Sequence, residues 1–267
     1  MNLSFSKVFS LALAGMLCSV PTFAAMPLET DDTGTQGAGK FQIEAGMEYA
    51  RDRESADGVS MREKGWELAT TLSYGLSDTI DLVAGVPLSW SKVWENGVAV
   101  ADENGIGDLS LQLKWRFFES ADQRTSLALK PGISLPTGDE AKGLGNGRVC
   151  GDVTLIATHT LEHGALHLNL GYEYNDYAID EDRAVNRKSV WRASLAGEVE
   201  VAERLMAVAD IGVETNEERD ADNHPAYLLG GLIYSVSKDV DLDFGVRGGL
   251  NDAETDTAWL AGITMRF

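Results

Sequence analysis

From Lys40 to the last residue, apolar and polar side chains alternate along the chain with a period of two. The final segment puts Trp259, Ile263 and Phe267 on one side and Thr264 and Arg266 on the other. Alternation over about ten residues, bounded by Gly, Asn, Asp and Ser, predicts β-strands. Twelve such segments follow one another, with ten or fourteen possible if a hairpin has been merged or split. They span residues 41–49, 66–76, 80–90, 108–118, 125–135, 151–161, 165–175, 189–201, 205–215, 226–236, 241–250 and 257–267.

The connections between these strands fall into two classes. Tight turns are predicted at 76–80, 161–165, 201–205 and 236–240. Longer, acidic, glycine-bearing loops are predicted at 51–63, 91–106, 136–150, 178–188, 216–225 and 251–256. Short turns at one end and long loops at the other, with an even strand count, are typical of outer-membrane β-barrels.

Alternation alone also fits a soluble sandwich or lipocalin, so the composition of the two faces matters. No Asp, Glu, Lys or Arg lies on the apolar side of the twelve predicted strands. If both termini are periplasmic, the aromatic side chains form two belts, as membrane interfaces favour, with Phe244 as an exception. We therefore predict an all-β, transmembrane, antiparallel up-and-down barrel of about twelve strands over residues 40–267. The outer belt is Tyr49, Trp66, Trp90, Tyr172, Tyr174, Trp191 and Trp259, and the inner belt is Phe41, Tyr74, Trp115, Phe117, Tyr234 and Phe267.

The N-terminus indicates export. Lys7 precedes an apolar run from Val8 to Val20, and small residues follow at Thr22 and Ala24. This pattern predicts a signal peptide at residues 1–24. Cleavage would leave one cysteine, Cys150, and therefore no internal disulfide. Residues 25–39 are expected to hang in the periplasm or to fold into the barrel mouth.

The net charge of −20 argues against nucleic acid as a partner. The polar faces of the strands would line the lumen, where opposite charges can pair as a filter or a plug. We do not predict a catalytic site, a metal site or a cofactor. His159 has no evident nucleophile beside it, and the 143–148 segment GLGNGR is interpreted as a loop that needs positive φ angles. The predicted lumen-lining residues are Glu44, Glu48, Lys114, Arg116, Lys130, Glu173, Arg192, Asp210 and Arg247.

Several sequence segments resemble those of one known family. They are PLETDDTGTQGAGKFQIEAG at 27–46, GVPLSW at 85–90, GIGDLSLQLKWRFF at 105–118 and LALKPGISLPTGDEAKGLGNGR at 127–148. Together they are similar to the outer-membrane family described as "Putative MetA-pathway of phenol degradation", often called transporters. The resemblance covers nearly all of the chain after the signal peptide. It implies a bacterial outer-membrane barrel linked to the passage of aromatic or other small compounds.

We expect a non-enzymatic, monomeric outer-membrane protein that acts as a passive channel for small molecules. The alternatives are a structural or adhesive barrel without an open pore, and a lipid-modifying enzyme that would use His159. Expected partners are outer-membrane lipid, lipopolysaccharide and an unknown small solute. The terminal strand ending in Phe267 resembles the signal that the barrel-assembly machinery recognises.

Overall fold

A computed structural model describes residues 26–56 and 58–267. The predicted signal peptide lies outside the described residues. Thirteen β-segments, one short α-helix, α1 (Asp180–Val185), and one 3-10 turn (Glu140–Lys142) make up the regular structure of these residues. No helix in the described part of the chain is long and apolar enough to cross a membrane. The β-segments are β1 (Phe41–Ala56), β2 (Val59–Gly75), β3 (Ile80–Glu95), β4 (Val98–Ile106), β5 (Leu109–Glu119), β6 (Thr125–Leu135), β7 (Cys150–Thr160), β8 (Gly164–Tyr174), β9 (Ser189–Ala202), β10 (Leu205–Glu214), β11 (Ala226–Ser235), β12 (Val240–Gly249) and β13 (Thr257–Arg266).

The sheet closes on itself through its first and last strands. β1 pairs antiparallel with β13 from Gln42 opposite Arg266 to Arg51 opposite Thr257, and it pairs with β2 on its other side. β2 in turn pairs with β3, and antiparallel neighbours continue around to β13. Closure matters because an open edge in hydrocarbon would leave backbone N–H and C=O groups without partners. The predicted transmembrane barrel fold is confirmed.

β4 and β5 together form one strand of the barrel. The outer half of β3 pairs with β4, from Leu88 opposite Ile106 to Glu95 opposite Val98. The inner half of β3 pairs with β5, from Ile80 opposite Trp115 to Gly85 opposite Ser110. The two segments are separated only by residues 107–108. The barrel therefore has twelve strands, and the thirteenth segment is an interruption within the fourth.

Two predicted loops are strands instead. Residues 51–63 mostly extend β1 and β2, which pair as far as Ala56 opposite Val59, and residues 91–106 mostly belong to β3 and β4. The prediction was wrong there because these extensions pass beyond the apolar band, so their outward side chains include Arg62 and Lys92 rather than an uncharged row. The barrel wall is consequently taller on this side.

The outward face carries large apolar side chains, and its aromatics touch in the predicted belts. Tyr49 lies tilted against Trp66 and stacks on Trp259, with ring centroids 4.4 and 5.6 Å away. At the opposite rim, Phe41 stacks on Phe267 at 4.7 Å. Such rings favour the depth of the lipid headgroups. The two belts set the barrel's position in the membrane, with the long loops 136–149 and 215–225 outside.

Candidate functional site

Residues 26–39 run inside the barrel and cross its lumen. From Lys40, directly before β1, the segment passes the periplasmic end of the wall, where the backbone N–H of Gln36 donates to the carboxylate of Asp81 at 3.0 Å. Farther in, the hydroxyls of Thr33 and Ser126 lie 2.5 Å apart. We call residues 26–36 the lumen segment. It goes deeper than the barrel mouth.

The centre of the lumen segment is a buried ion cluster. Both carboxylate oxygens of Asp31 are used: Oδ1 accepts from Nζ of Lys114 and Oδ2 from Nζ of Lys130, each at 2.8 Å. Asp31 is 3% exposed and Lys130 only 1%. Burial opposes the charge on Asp31, but the two ammonium groups outweigh it and lower its pKa from the ordinary 3.8. Three charges removed from water hold the segment against β5 and β6.

The opposite wall of the barrel binds the lumen segment through Asp210 of β10. Its Oδ2 accepts from the backbone N–H groups of Glu29 and Thr30, both at 2.8 Å, and its Oδ1 accepts from the Thr30 hydroxyl at 2.8 Å. A carboxylate that receives several hydrogen bonds fixes the backbone it binds. Asp31 and Asp210 thus anchor neighbouring residues of the segment to opposite sides of the barrel.

The first described residues pack on glycines of the inner wall. A side chain on Gly46 would collide with Met26, and one on Gly231 or Gly245 would collide with Pro27. Leu28 is buried in an apolar cluster with Val208, Leu229 and Leu260, among others. An apolar patch on a mostly polar inner face thus matches the apolar end of the segment, which adds burial to the polar anchors.

Two cavities lie on either side of the lumen segment. The outer cavity, about 500 Å³, is lined by Glu29, Glu67, Glu173 and loop residues such as Glu217 and Glu254. The inner cavity, about 570 Å³, is lined by Asp31, Gln36 and Arg266, among others, at the periplasmic end. The segment therefore separates the extracellular half of the lumen from the periplasmic half.

The outer cavity has two basic residues, and both are engaged by carboxylates. Arg247 binds Glu29 at 2.6 Å and Glu48 at 2.8 Å. Arg192 pairs with Glu173 and, at 3.0 Å, with Glu214. The Glu29 pair joins the lumen segment to β12, so this cluster also fixes the segment. Paired charges rather than a free basic patch form the floor of the cavity.

Eight of the nine predicted lumen residues lie around the lumen segment or the two cavities. Lys114, Lys130, Asp210 and Arg247 contact the segment, and Glu44 lines the inner cavity. The outer cavity holds Glu48, Glu173 and Arg192. Arg116 instead lies at the periplasmic rim, where it donates to the carbonyl of Asp78 at 3.0 Å.

Sequence reasoning missed Asp31, which is central to the cluster. A signal was present, since PLETDDTGTQ is too polar for a lipid-facing strand and yet only residues 37–40 separate it from one. Its partners could not be identified, because Lys114 and Lys130 are 83 and 99 residues away along the chain. Only closure of the barrel brings them together.

The 143–148 loop and Cys150, which the sequence also singled out, both make contacts that stabilise the fold. The 143–148 segment has positive φ at Gly143 and Gly147, as expected. Asp108 holds the longer 136–149 loop around it by accepting from the backbone N–H groups of Gly138 and Asn146. Cys150, predicted in a loop, begins β7 and is buried, with the Asn146 amide 3.2 Å from its sulfur.

His159 has a neighbouring hydroxyl that the sequence did not reveal. Its Nδ1 is 2.9 Å from Oγ1 of Thr125 across the β6–β7 pair. In the described part of the chain, no carboxylate lies within 4.0 Å of the ring to orient it. A base needs such orientation as well as a nucleophile, so the pair fits a cross-strand hydrogen bond.

Comparison with solved structures places the fold among outer-membrane barrels. The COG4313 outer membrane channel from Pseudomonas putida F1 is 17% identical with a TM-score of 0.66, covering 88% of this chain and 98% of that one. The translocator domain of autotransporter NalP from Neisseria meningitidis is 12% identical with a TM-score of 0.54, covering 86% and 89%. The NanC porin is 10% identical with a TM-score of 0.53, covering 85% and 100%.

No curated protein matches the chain. The family model, by contrast, spans the whole described structure, including the lumen segment, from residue 26 to residue 267. With the closed twelve-stranded wall and the aromatic belts, this makes the chain a bacterial outer-membrane protein. It belongs to the family described as "Putative MetA-pathway of phenol degradation".

Proposed function

We propose that this protein is a passive channel that lets small molecules, aromatic compounds among them, cross the bacterial outer membrane. The observation that carries the proposal is a lumen with a cavity at each end, divided by a segment that only noncovalent contacts hold to the wall. The COG4313 neighbour is described as a channel, and the family description names phenol degradation, which supports aromatic solutes. No energy source is needed for diffusion down a gradient.

Transport requires the lumen segment to shift. A solute entering the outer cavity meets the backbone of Glu29 and Thr30, held by Asp210, and then the Asp31 cluster. A hydrogen bond to a charged group contributes roughly 1.5–3 kcal/mol, so each Asp210 anchor is modest by itself. The ion cluster is the strongest, since breaking a buried pair costs roughly 3–5 kcal/mol. Opening is therefore expected to be infrequent and to depend on Asp31.

Solute flux into liposomes tests the proposal. Purified, refolded protein should admit a neutral aromatic such as benzyl alcohol and a small sugar faster than protein-free liposomes do. Single-channel recordings in planar bilayers should show brief openings from a mostly closed state. Rates equal to those of empty liposomes, together with a closed trace at all voltages, would favour the structural or adhesive barrel.

The absence of enzymatic activity is also part of the proposal. The Thr125–His159 pair is the arrangement that could contradict it. Labelled phospholipid or lipopolysaccharide should not be hydrolysed by the folded protein. Hydrolysis lost on His159→Ala and on Thr125→Val would establish the enzyme instead.

We also propose that the barrel-assembly machinery recognises the C-terminal strand, and that the acidic outer loops face lipopolysaccharide. The support for the first is geometric: exposed Phe267 directly follows β13 and continues the alternating apolar row of that strand. The machinery would receive this strand before it pairs with β1. Crosslinking from a photoreactive residue at position 265 during assembly would identify the contact.

A further inference from the structure

The outer cavity has a strongly unbalanced charge. Thirteen carboxylate side chains line it, against two guanidinium groups, and its lining includes no lysine or histidine. Both guanidiniums are already bound, Arg192 by Glu173 and Glu214 and Arg247 by Glu29 and Glu48. Those pairs use four of the thirteen carboxylates. The other nine have no basic partner within 4.0 Å among the described residues.

The wall of this cavity also presents buried polar atoms that have no hydrogen-bond partner. Ser91 is 5% exposed and its hydroxyl has no partner. The Oε1 atom of Glu173 and the Oδ1 atom of Asp152 are buried and unpaired as well, while Arg247 leaves one donor, its Nε, unpaired. A carboxylate oxygen can only accept a hydrogen bond when ionised. Most of these unpaired atoms can therefore accept a hydrogen bond from a ligand. The negative charge of the surrounding carboxylates favours a ligand whose donor group is positively charged.

A coordinated metal ion does not fit this arrangement. No three His, Cys, Asp or Glu side chains of residues 26–56 and 58–267 are close enough together to hold one. The carboxylates are spread around the wall from β1 to the loop at 250–256. Carboxylates distributed in this way fit an organic cation better than a compact metal ion. Such a cation donates several N–H hydrogen bonds from its charged group, and the rest of the molecule fills the cavity.

We propose that the outer cavity is a binding site for small molecules that carry a protonated amine, and that it makes the channel selective for cationic over anionic solutes. The inference deepens the proposed function, on which it rests for the passage of the solute but not for its binding. Dispersed negative charge in a low-dielectric cleft raises the local concentration of cations and repels carboxylates. The cavity volume of about 500 Å³ leaves room for an aromatic or aliphatic remainder. Glu67, Asp152 and Asp252, none of which pairs with an arginine, are proposed as selectivity residues.

Three probes that share a phenyl ring but differ in charge separate the contribution of charge to binding from that of the ring. Benzylammonium, benzyl alcohol and benzoate are titrated separately onto the folded protein in detergent at about pH 8, with calorimetry or saturation-transfer NMR as the readout. Benzylammonium should bind at least about tenfold more tightly than benzoate, with benzyl alcohol between them. Raising the salt concentration should reduce this difference.

Two triple variants locate the effect. Glu67→Gln/Asp152→Asn/Asp252→Asn removes three charges from the cavity, whereas Glu181→Gln/Asp220→Asn/Asp222→Asn removes three exposed charges outside it. Both change the net charge equally. The cavity variant should lose at least about fivefold in benzylammonium affinity, and the control variant should stay within about twofold of the unmodified protein. A shift in gel mobility on boiling shows that each variant has folded.

Reversal potentials across a bilayer with unequal KCl concentrations test whether the channel is selective for cations during transport. The unmodified channel should pass K⁺ in preference to Cl⁻, and the cavity variant should move the permeability ratio toward one. Equal binding of benzylammonium and benzoate, or an unchanged affinity in the cavity variant, overturns the inference. Selective binding without solute flux would leave the site standing and overturn the channel proposal instead.

Discussion

Asp31 and Lys130 lie 99 residues apart in the chain but 2.8 Å apart in the lumen, each almost completely buried. Lys114 approaches the other oxygen of the same carboxylate at the same distance. Two ammonium groups from the wall thus share one carboxylate from the lumen segment. Because burial makes each unpaired charge costly, the cluster links the position of the segment to a single side chain.

Asp31→Asn should release the lumen segment. The amide cannot balance two ammonium groups, and the loss of one partner from a buried pair costs roughly 3–5 kcal/mol, which a shift of the segment into water would partly relieve. We expect the open population in single-channel recordings to rise by more than about tenfold. Asp32→Asn is the matched control, because Asp32 is only partly buried and has no basic partner within 4.0 Å among the described residues. Equal open probabilities in the two variants would contradict this role for Asp31.

Acid should have the same effect as that substitution. The pKa of Asp31 in the folded state lies below 3.8, so the ion cluster is complete above that pH and is lost as the pH falls through the lowered value. Channel opening should therefore increase only below about pH 4, and Asp31→Asn should be insensitive in that range. An opening transition at neutral pH would point to another group.

A reversible crosslink tests whether the segment must move. The hydroxyls of Thr33 and Ser126 are 2.5 Å apart, so cysteine substitutions at both positions bring two thiols close together for disulfide formation. Thr33→Cys/Ser126→Cys, made with Cys150→Ala, should have solute flux close to that of empty liposomes when oxidised and should recover when reduced. Thr33→Cys/Cys150→Ala alone should not respond to oxidant. Undiminished flux through the oxidised double variant would show that solutes pass beside the segment.

Much of the barrel could be predicted from period-two alternation, because lipid imposes one uncharged face on every strand. Tyr49 and Trp66 were placed in one belt on this basis, and their rings meet. Where the wall rises beyond lipid, the constraint ends, and Arg62 and Lys92 were assigned to loops although they lie in strands. The polar faces identified Lys114 and Lys130 but not their common partner, since alternation gives orientation and not distance across a lumen.

Cation selectivity should increase with pH between about 6 and 9. Burial, with Glu173 and Glu214 nearby, raises the pKa of Glu217 to about 8 although Arg192 opposes the shift. Burial likewise raises the pKa of Glu254 to about 7, with Arg247 opposing and Glu214 and Glu29 contributing. Both carboxyls bind their proton more tightly in the folded protein, so rising pH adds negative charge to the outer cavity and removes folding stability above the ordinary value of 4.5.

Reversal potentials measured across this pH range provide the check. The K⁺ preference of the unmodified channel should rise with a midpoint between about 7 and 8. Glu217→Gln/Glu254→Gln should flatten the curve, and Glu181→Gln, on the exposed helix α1, should leave it in place. A pH dependence retained in the double variant would assign it to other carboxylates.

Phe267 should be needed for closure of the barrel. Its N–H donates to the carbonyl of Phe41 at 2.9 Å, the Phe41 N–H returns a bond at 3.2 Å, and the two rings stack in the inner belt. Phe267→Ser keeps the backbone bonds but removes the ring from the interface, whereas Phe267→Tyr keeps an aromatic that such depth favours. We expect a slower gain of the heat-modifiable folded form for the serine variant in liposome refolding, and near-normal rates for the tyrosine variant. If purified Phe267→Ser refolds normally but assembles poorly in cells, the ring serves recognition by the assembly machinery rather than closure.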